Sequence, residues 1–277
     1  MKTHHRSGMF AGGLAAAGLL LLSASPAEAQ QKIMVDGSTG TAPLVQALGK
    51  VFAGKGGAIV DIGKGLGTKA RFEALAGGKI DIAMASHGLN IDEVRKRGMQ
   101  IHRIAMTPVV FAVHQSVPIG GLAATQICAI YSGRVGNWKD LSGADLTVMP
   151  LARPDSEVDA EVVRDGVACL KDLKFHDGVK LQDRAGDMSR ALAGTTGAVG
   201  FTSATVVEQS GGKIKVLSLD SVEPSEANVL AGQYRLTRDA FLVTAGTPSE
   251  AVKAFIEFIK GQEGAAVIRA NGAIAAR

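Results

Sequence analysis

Ile33-Met34-Val35-Asp36-Gly37-Ser38-Thr39-Gly40-Thr41-Ala42-Pro43-Leu44 reads as a buried strand, a small polar loop and the start of a helix. The apolar triplet suits a strand covered on both faces, and Leu44 to Phe52 keeps helical spacing. A loop of this kind at the carboxyl end of a strand sets helix N–H groups beside the hydroxyls of Ser38, Thr39 and Thr41, which suits an anion. The same residues also fit a plainer role, because Ser38 or Thr39 can cap the helix.

Outward from this unit the alternation continues. Ala58 to Ile62 reads as a strand, Arg71 to Ala76 as a helix, and Ile80 to Met84 as a strand again. Strands separated by helices of this length imply parallel β-α-β units. A second set follows: a helix at Ala123 to Tyr131, a strand at Leu146 to Leu151, a helix at Asp159 to Leu170 and a strand at Ala198 to Thr202. Pro248 to Lys260 closes the chain as an amphipathic helix with Val252, Phe255, Ile256 and Ile259 on one face. Val109 to His114 and Ala240 to Thr244 are extended, apolar and far apart in sequence, so they are candidate crossings between two lobes.

The first residues have a separate character. Lys2 and Arg6 precede an apolar run from Met9 to Leu22, then Pro26 and Ala27-Glu28-Ala29, which is the anatomy of a cleaved export leader spanning residues 1–29. The apolar run is shorter than the roughly 20 residues that cross a bilayer, and no Cys stands near the cut for lipid attachment. The expected compartment is the periplasm. The formal net charge is +4, and loss of Lys2, Arg6 and Glu28 lowers it by one. With Arg95-Lys96-Arg97 as the longest basic cluster, a nucleic-acid binder is not expected. Cys128 and Cys169 either pair in an oxidising compartment or lie as two buried thiols, and spacing does not decide between these.

Three further loops carry candidate chemistry. Gly63-Lys64-Gly65-Leu66-Gly67-Thr68 would let several N–H groups converge, without the spacing of a nucleotide P-loop. Ser86-His87 pairs a hydroxyl with an imidazole. Arg153, followed by Asp155 and Ser156, offers a guanidinium that can grip two oxygens of one anion; its alternative is a surface pair with Asp155. The expected ligand contacts are Ser38, Thr39, Gly40, Gly65, Ser86, His87, Arg153 and Ser156. The chain has no Gly-x-Ser-x-Gly elbow and no His-Glu-x-x-His, so neither an enzyme nor a cofactor or metal is expected.

Several segments together resemble the phosphate-binding subunit of the bacterial phosphate ABC transporter (PstS type). They are Gly37-Ser38-Thr39 with Pro43-Leu44, Asp81 to Ser86, Gly197-Ala198-Val199-Gly200-Phe201, Tyr234-Arg235-Leu236, and Lys253 to Gly264 with Asn271-Gly272. The most specific is Ile130-Tyr131-Ser132-Gly133-Arg134-Val135-Gly136-Asn137-Trp138-Lys139-Asp140-Leu141. The resemblance implies an α/β chain with the type II periplasmic binding protein fold: two Rossmann-like lobes joined by two hinge strands, with a ligand cleft between them. Lobe 1 would comprise 30–110 and 236–277, and lobe 2 111–235. It further implies a monomer that captures phosphate or a related tetrahedral oxyanion and delivers it to an inner-membrane ABC permease. A periplasmic sensor or accessory binding protein for another small anion is the alternative. The chain departs from the pattern at His87, at Gly65 where a Ser is usual nearby, and at Ser156-Glu157-Val158, where the family reads Ser-Gly-Thr. A carboxylate facing the ligand would repel an anion, so either Glu157 points to solvent or the ligand differs from phosphate.

Overall fold

The computed structural model describes Met1 and residues 30–276; the expected leader lies outside the described residues. In chain order the first elements are β1 (Lys32–Gly37), α1 (Ala42–Gly54), β2 (Ile59–Ile62), α2 (Thr68–Ala76), β3 (Ile82–Ser86), α3 (Ile91–Lys96) and β4 (Gln100–His114). Next come β5 (Gly121–Leu122), α4 (Ala124–Tyr131), β6 (Met149–Ala152), α5 (Val158–Gly166), β7 (Lys180–Leu181), α6 (Ala185–Gly194) and β8 (Ala198–Ser203). The rest are α7 (Ala204–Glu208), β9 (Ile214–Val216), β10 (Ser218–Leu219), α8 (Glu226–Leu230), β11 (Thr237–Thr244), α9 (Glu250–Lys260), α10 (Gln262–Ala270) and β12 (Ile274–Ala275). Among the described residues no helix is long and apolar enough to cross a membrane.

The local patterns explain the elements. Ile33 and Val35 of β1 point into the core while Lys32 and Met34 point out. β3 and β8 are buried along their whole length, as strands covered on both faces must be. Leu44, Val45, Leu48 and Phe52 form the buried face of α1, and Phe52 stacks at 5.2 Å on Phe255 of α9. The start of α9 falls later than the sequence suggests: Ser249 is its cap, its hydroxyl accepting from the Val252 N–H. Arg95 and Lys96 form the exposed last turn of α3, where cations oppose the negative end of the dipole.

β2, β1 and β3 pair in parallel, as do β8, β6 and β7. Between these sets β11 and β4 run antiparallel to their neighbours, giving the order β2-β1-β3-β11-β4-β8-β6-β7. β4 is the longest strand, at 15 residues. It pairs with β11 up to Pro108 and with β8 from Val109. The two extended segments read from sequence thus differ in role. Val109 to His114 lies wholly on the β8 side, and Ala240 to Thr244 pairs with β3. The passage from one side to the other falls at Pro108-Val109 and at Leu236-Thr237. There the Val109 N–H donates to Leu236 O at 2.8 Å and the Tyr234 hydroxyl donates to Val109 O at 2.7 Å.

The hydrophobic clusters follow the same division. Ile33, Leu48, Phe52, Met84 and Phe255 share one core, with Phe72, Val94 and Phe241 forming a satellite of it. Phe111, Tyr131, Trp138, Leu151 and Phe201 share the other. The Ile130 to Leu141 segment builds this second core. Trp138 is fully buried and its indole N–H donates to Gly197 O at 2.9 Å, while the buried Tyr131 hydroxyl donates to Leu151 O at 2.8 Å. Burial pushes both the Tyr131 and Tyr234 phenols above their ordinary range.

Cys128 on α4 and Cys169 just beyond α5 form a disulfide, with Cα atoms 6.2 Å apart and a sequence separation of 41. Closing a loop of that size is worth about 4 kcal/mol in the chain-entropy account. Reduction before urea denaturation is therefore expected to lower the unfolding free energy by about that amount. Matching midpoints for oxidised and reduced protein would show that the bond constrains little.

Candidate functional site

The loops after β1, β2 and β3 converge at one end of the sheet. Gly37 adopts φ +134°, and a Cβ there would stand 2.3 Å from Met84 O, so only glycine lets the first loop cross β3 this closely. The Ser38 N–H donates to Met84 O at 3.0 Å. The Asp36 carboxylate then ties two loops together, accepting from the Gly37 N–H at 2.7 Å and the Gly65 N–H at 2.9 Å. Neither Ser38 nor Thr39 caps α1: Thr41 is the cap residue, and its hydroxyl donates to Ala85 O instead. Thr39 Oγ1 is buried without a hydrogen-bond partner among the described residues.

These loops face Ser156 to Val158 across a cavity of about 480 Å³. It brings together six of the eight residues expected from sequence: Ser38, Thr39, Gly65, Ser86, His87 and Ser156. The structure places Gly40 and Arg153 outside that lining. Gly40 lies behind it, its carbonyl accepting from Arg238 Nη2 at 2.6 Å. Arg153 is 2% exposed, hence not a surface residue, and its guanidinium pairs with Glu157 rather than Asp155. Asp155 pairs with Arg164 instead, at 2.7 Å. Arg153 Nε and Nη1 are buried without partners among the described residues. Glu157 lines the cavity, with its charge offset by Arg153.

Two buried cations were missed in the sequence, one in the cavity wall and one behind it. Arg71, in the first turns of α2, is buried at the cavity wall, with Nη2 donating to Thr68 Oγ1 at 3.3 Å and the guanidinium 5.1 Å from the Phe72 ring centre. No carboxylate lies within ion-pair distance of it among the described residues, and burial lowers its pKa from the ordinary value. A signal for it was available. A cation near the N-terminal end of a helix runs against the dipole, and α2 has no acidic residue in its first turn to offset it.

The second is Arg238 on β11, 2% exposed. Its Nε lies 2.8 Å from Asp159 Oδ1 in α5, and its Nη1 donates to Ser86 Oγ at 3.1 Å. Ser86 closes β3 rather than following it, and its hydroxyl donates to Asp239 O at 3.0 Å. In this arrangement Ser86 accepts from Arg238 and spends its proton on the backbone. A Cβ on Gly40 would lie 2.9 Å from the Arg238 guanidinium, which explains a glycine there. No group of three His, Cys, Asp or Glu residues able to hold a metal occurs among the described residues.

With this geometry in hand, known proteins supply the kinship. The sequence profile of the PBP superfamily domain matches residues 23–263. The chain belongs to the PBP superfamily. Among curated relatives, the phosphate-binding protein PstS of Bacillus subtilis (strain 168) is 25% identical over 163 residues, covering 58% of this chain and 52% of that protein. The PstS of Staphylococcus epidermidis (strain RP62A) is 24% identical over 239 residues, covering 81% of this chain and 72% of its own length. A crystal structure of a candidate phosphate ABC transporter substrate-binding protein from Clostridium perfringens, with phosphate bound, superposes with a TM-score of 0.71 at 25% identity. It covers 89% of this chain and 100% of that one. An ABC-type phosphate transport receptor from Vibrio cholerae gives 0.58 at 24% identity over 87% of this chain and 99% of that one. The architecture is that of the type II periplasmic binding proteins.

The Arg238–Asp159 pair yields a two-step prediction. Arg238→Met leaves a buried carboxylate unpaired and is expected to cost about 3–5 kcal/mol in urea denaturation. Adding Asp159→Leu should recover most of that loss, and a double variant as unstable as the single one would show that the pair is not the cause.

Proposed function

We propose that this chain is an exported, monomeric solute-binding protein that captures phosphate or a related tetrahedral oxyanion and hands it to an ABC permease. The observation that carries the reading is the buried Arg71 guanidinium, with no carboxylate in ion-pair distance among the described residues, in one cavity with the hydroxyls of Ser38, Thr39 and Ser156. Charge-assisted hydrogen bonds to an anion are the strong kind, and a low-dielectric wall strengthens them. The names of the PstS relatives and the phosphate bound in the Clostridium perfringens structure support the same ligand.

In this reading 30–108 with 237–277 forms one lobe and 109–236 the other, the expected bounds shifting to where β4 changes partners, and flexing there shuts Ser156 and Glu157 onto the loops of the first lobe. Ser38, Thr39, His87 and Ser156 offer polar groups and Arg71 the charge, while Ser86, its proton given to Asp239 O, holds Arg238, and Gly65, its N–H given to Asp36, shapes the wall. Arg153 acts through Glu157, holding that carboxylate so that it repels the anion less. Gly40 acts only by making room for Arg238.

A thermal-shift and calorimetry panel of phosphate, arsenate, sulfate and molybdate tests the reading. Saturation at 100 times Kd should stabilise the protein by about 2.7 kcal/mol. Arg71→Gln should weaken phosphate binding roughly ten- to a hundredfold, the scale of a lost charge-assisted bond. Indifference to every oxyanion would end the proposal. Arg153→Met should also weaken phosphate binding, and Glu157→Gln in that background should restore it; if restoration fails, Arg153 acts by some route other than Glu157.

A further inference from the structure

The oxyanion cavity has a neighbour. A second cavity of about 350 Å³ is lined by Gly37, Thr39, Lys64, Gly65 and Arg184, all of which also line the first, so the two adjoin along that wall. Before the lobes shut, the two together leave room beside one tetrahedral ion for a second small group.

Charge is distributed along this space rather than focused at one point. Arg71 lines only the first cavity. Lys64 and Arg184 stand where the two meet, one on the loop after β2 and the other at the start of α6, so they approach the space from opposite sides of the sheet order. Arg190, further into the second cavity, is already paired with Asp187. Lys64 and Arg184 have no carboxylate within ion-pair distance among the described residues. Asp183 also lines the first cavity, so the lining sets Lys64, Arg71 and Arg184 against Asp183 and the Arg153-held Glu157; an anionic group between Lys64 and Arg184 relieves their repulsion and gains two attractions. Thr39, whose buried Oγ1 has no partner, lines both cavities and can serve a group in either.

We propose that Lys64 and Arg184 form a second anionic subsite beside the oxyanion cradle, so that the preferred ligand is a compact molecule with two anionic groups, of the diphosphate or phosphonocarboxylate class. This rests on the oxyanion reading above and narrows its ligand. Both side chains are exposed, so their contribution is screened by salt and weakens as ionic strength rises.

The test is calorimetry on the full chain with inorganic phosphate, inorganic pyrophosphate and phosphonoacetate, comparing the wild type with the Lys64→Ala/Arg184→Ala double variant. The two-anion ligands should bind the wild type more tightly than phosphate does. The double variant should lose roughly tenfold or more in pyrophosphate affinity beyond whatever it loses for phosphate. Tighter binding of phosphate, or equal weakening of all three ligands, would overturn the second subsite and leave the oxyanion cradle standing. Absence of binding by all three in the wild type would remove both.

Discussion

A single buried guanidinium holds the site together. Arg238 reaches from β11 to Asp159 in α5, to the hydroxyl of Ser86 and to the carbonyl of Gly40, joining both sides of the sheet and two of the candidate loops. Taking such a charge out of water is costly, and the cost is offset only because a carboxylate, a hydroxyl and a carbonyl all meet it. Neighbouring residues conform to that requirement. Gly40 must lack a side chain, Ser86 must turn its proton to Asp239 O, and Asp159 must be buried in the first turn of α5.

Around this fixed point the cavity carries an uneven charge. Arg71 opposes the dipole of its own helix, and Lys64 and Arg184 stand without carboxylate partners among the described residues. The one acid drawn from the Ser156 loop, Glu157, is already held by Arg153. Asp36 spends its charge on two backbone N–H groups. Asp183 also borders the cavity, whose lining therefore sets Lys64, Arg71 and Arg184 against Asp183 and the Arg153-held Glu157, a balance that favours negative ligands. Arrangements of this kind are common where function, rather than stability, selects the residues, since unpaired cations bordering one cavity do nothing for the fold.

The segments that carry the strongest family resemblance do something different. Trp138 and Tyr131 lie in the core and bond to Gly197 O and Leu151 O, and Tyr234 secures Val109 where β4 passes between the two cores. None of the three lines the oxyanion cavity. The resemblance thus rests on packing residues, each satisfying a buried hydroxyl or indole N–H, as well as on the lining residues Gly37, Ser38, Thr39 and Ser86, while His87, Glu157 and Val158 in the same lining depart from the pattern.

The sequence by itself determined the strand-loop-helix units, their parallel pairing within each half, the glycine-rich and hydroxyl-rich loops, and the kinship. The units and loops depend on contacts only a few residues apart, where periodicity and turn chemistry act directly, and the parallel pairing follows from strands alternating with helices. Five of the expected ligand residues meet because loops at the carboxyl ends of the neighbouring parallel strands β2, β1 and β3 lie side by side, and only the tertiary structure brings Ser156 from after β6 to face them. Only the tertiary structure decided that Cys128 meets Cys169, that Arg153 serves Glu157, and that Arg71 and Arg238 are the buried cations of the site. The last of these joins groups from residues 40 to 238, and the energy of burying a charge depends on every partner brought to it, a quantity no local stretch of chain contains.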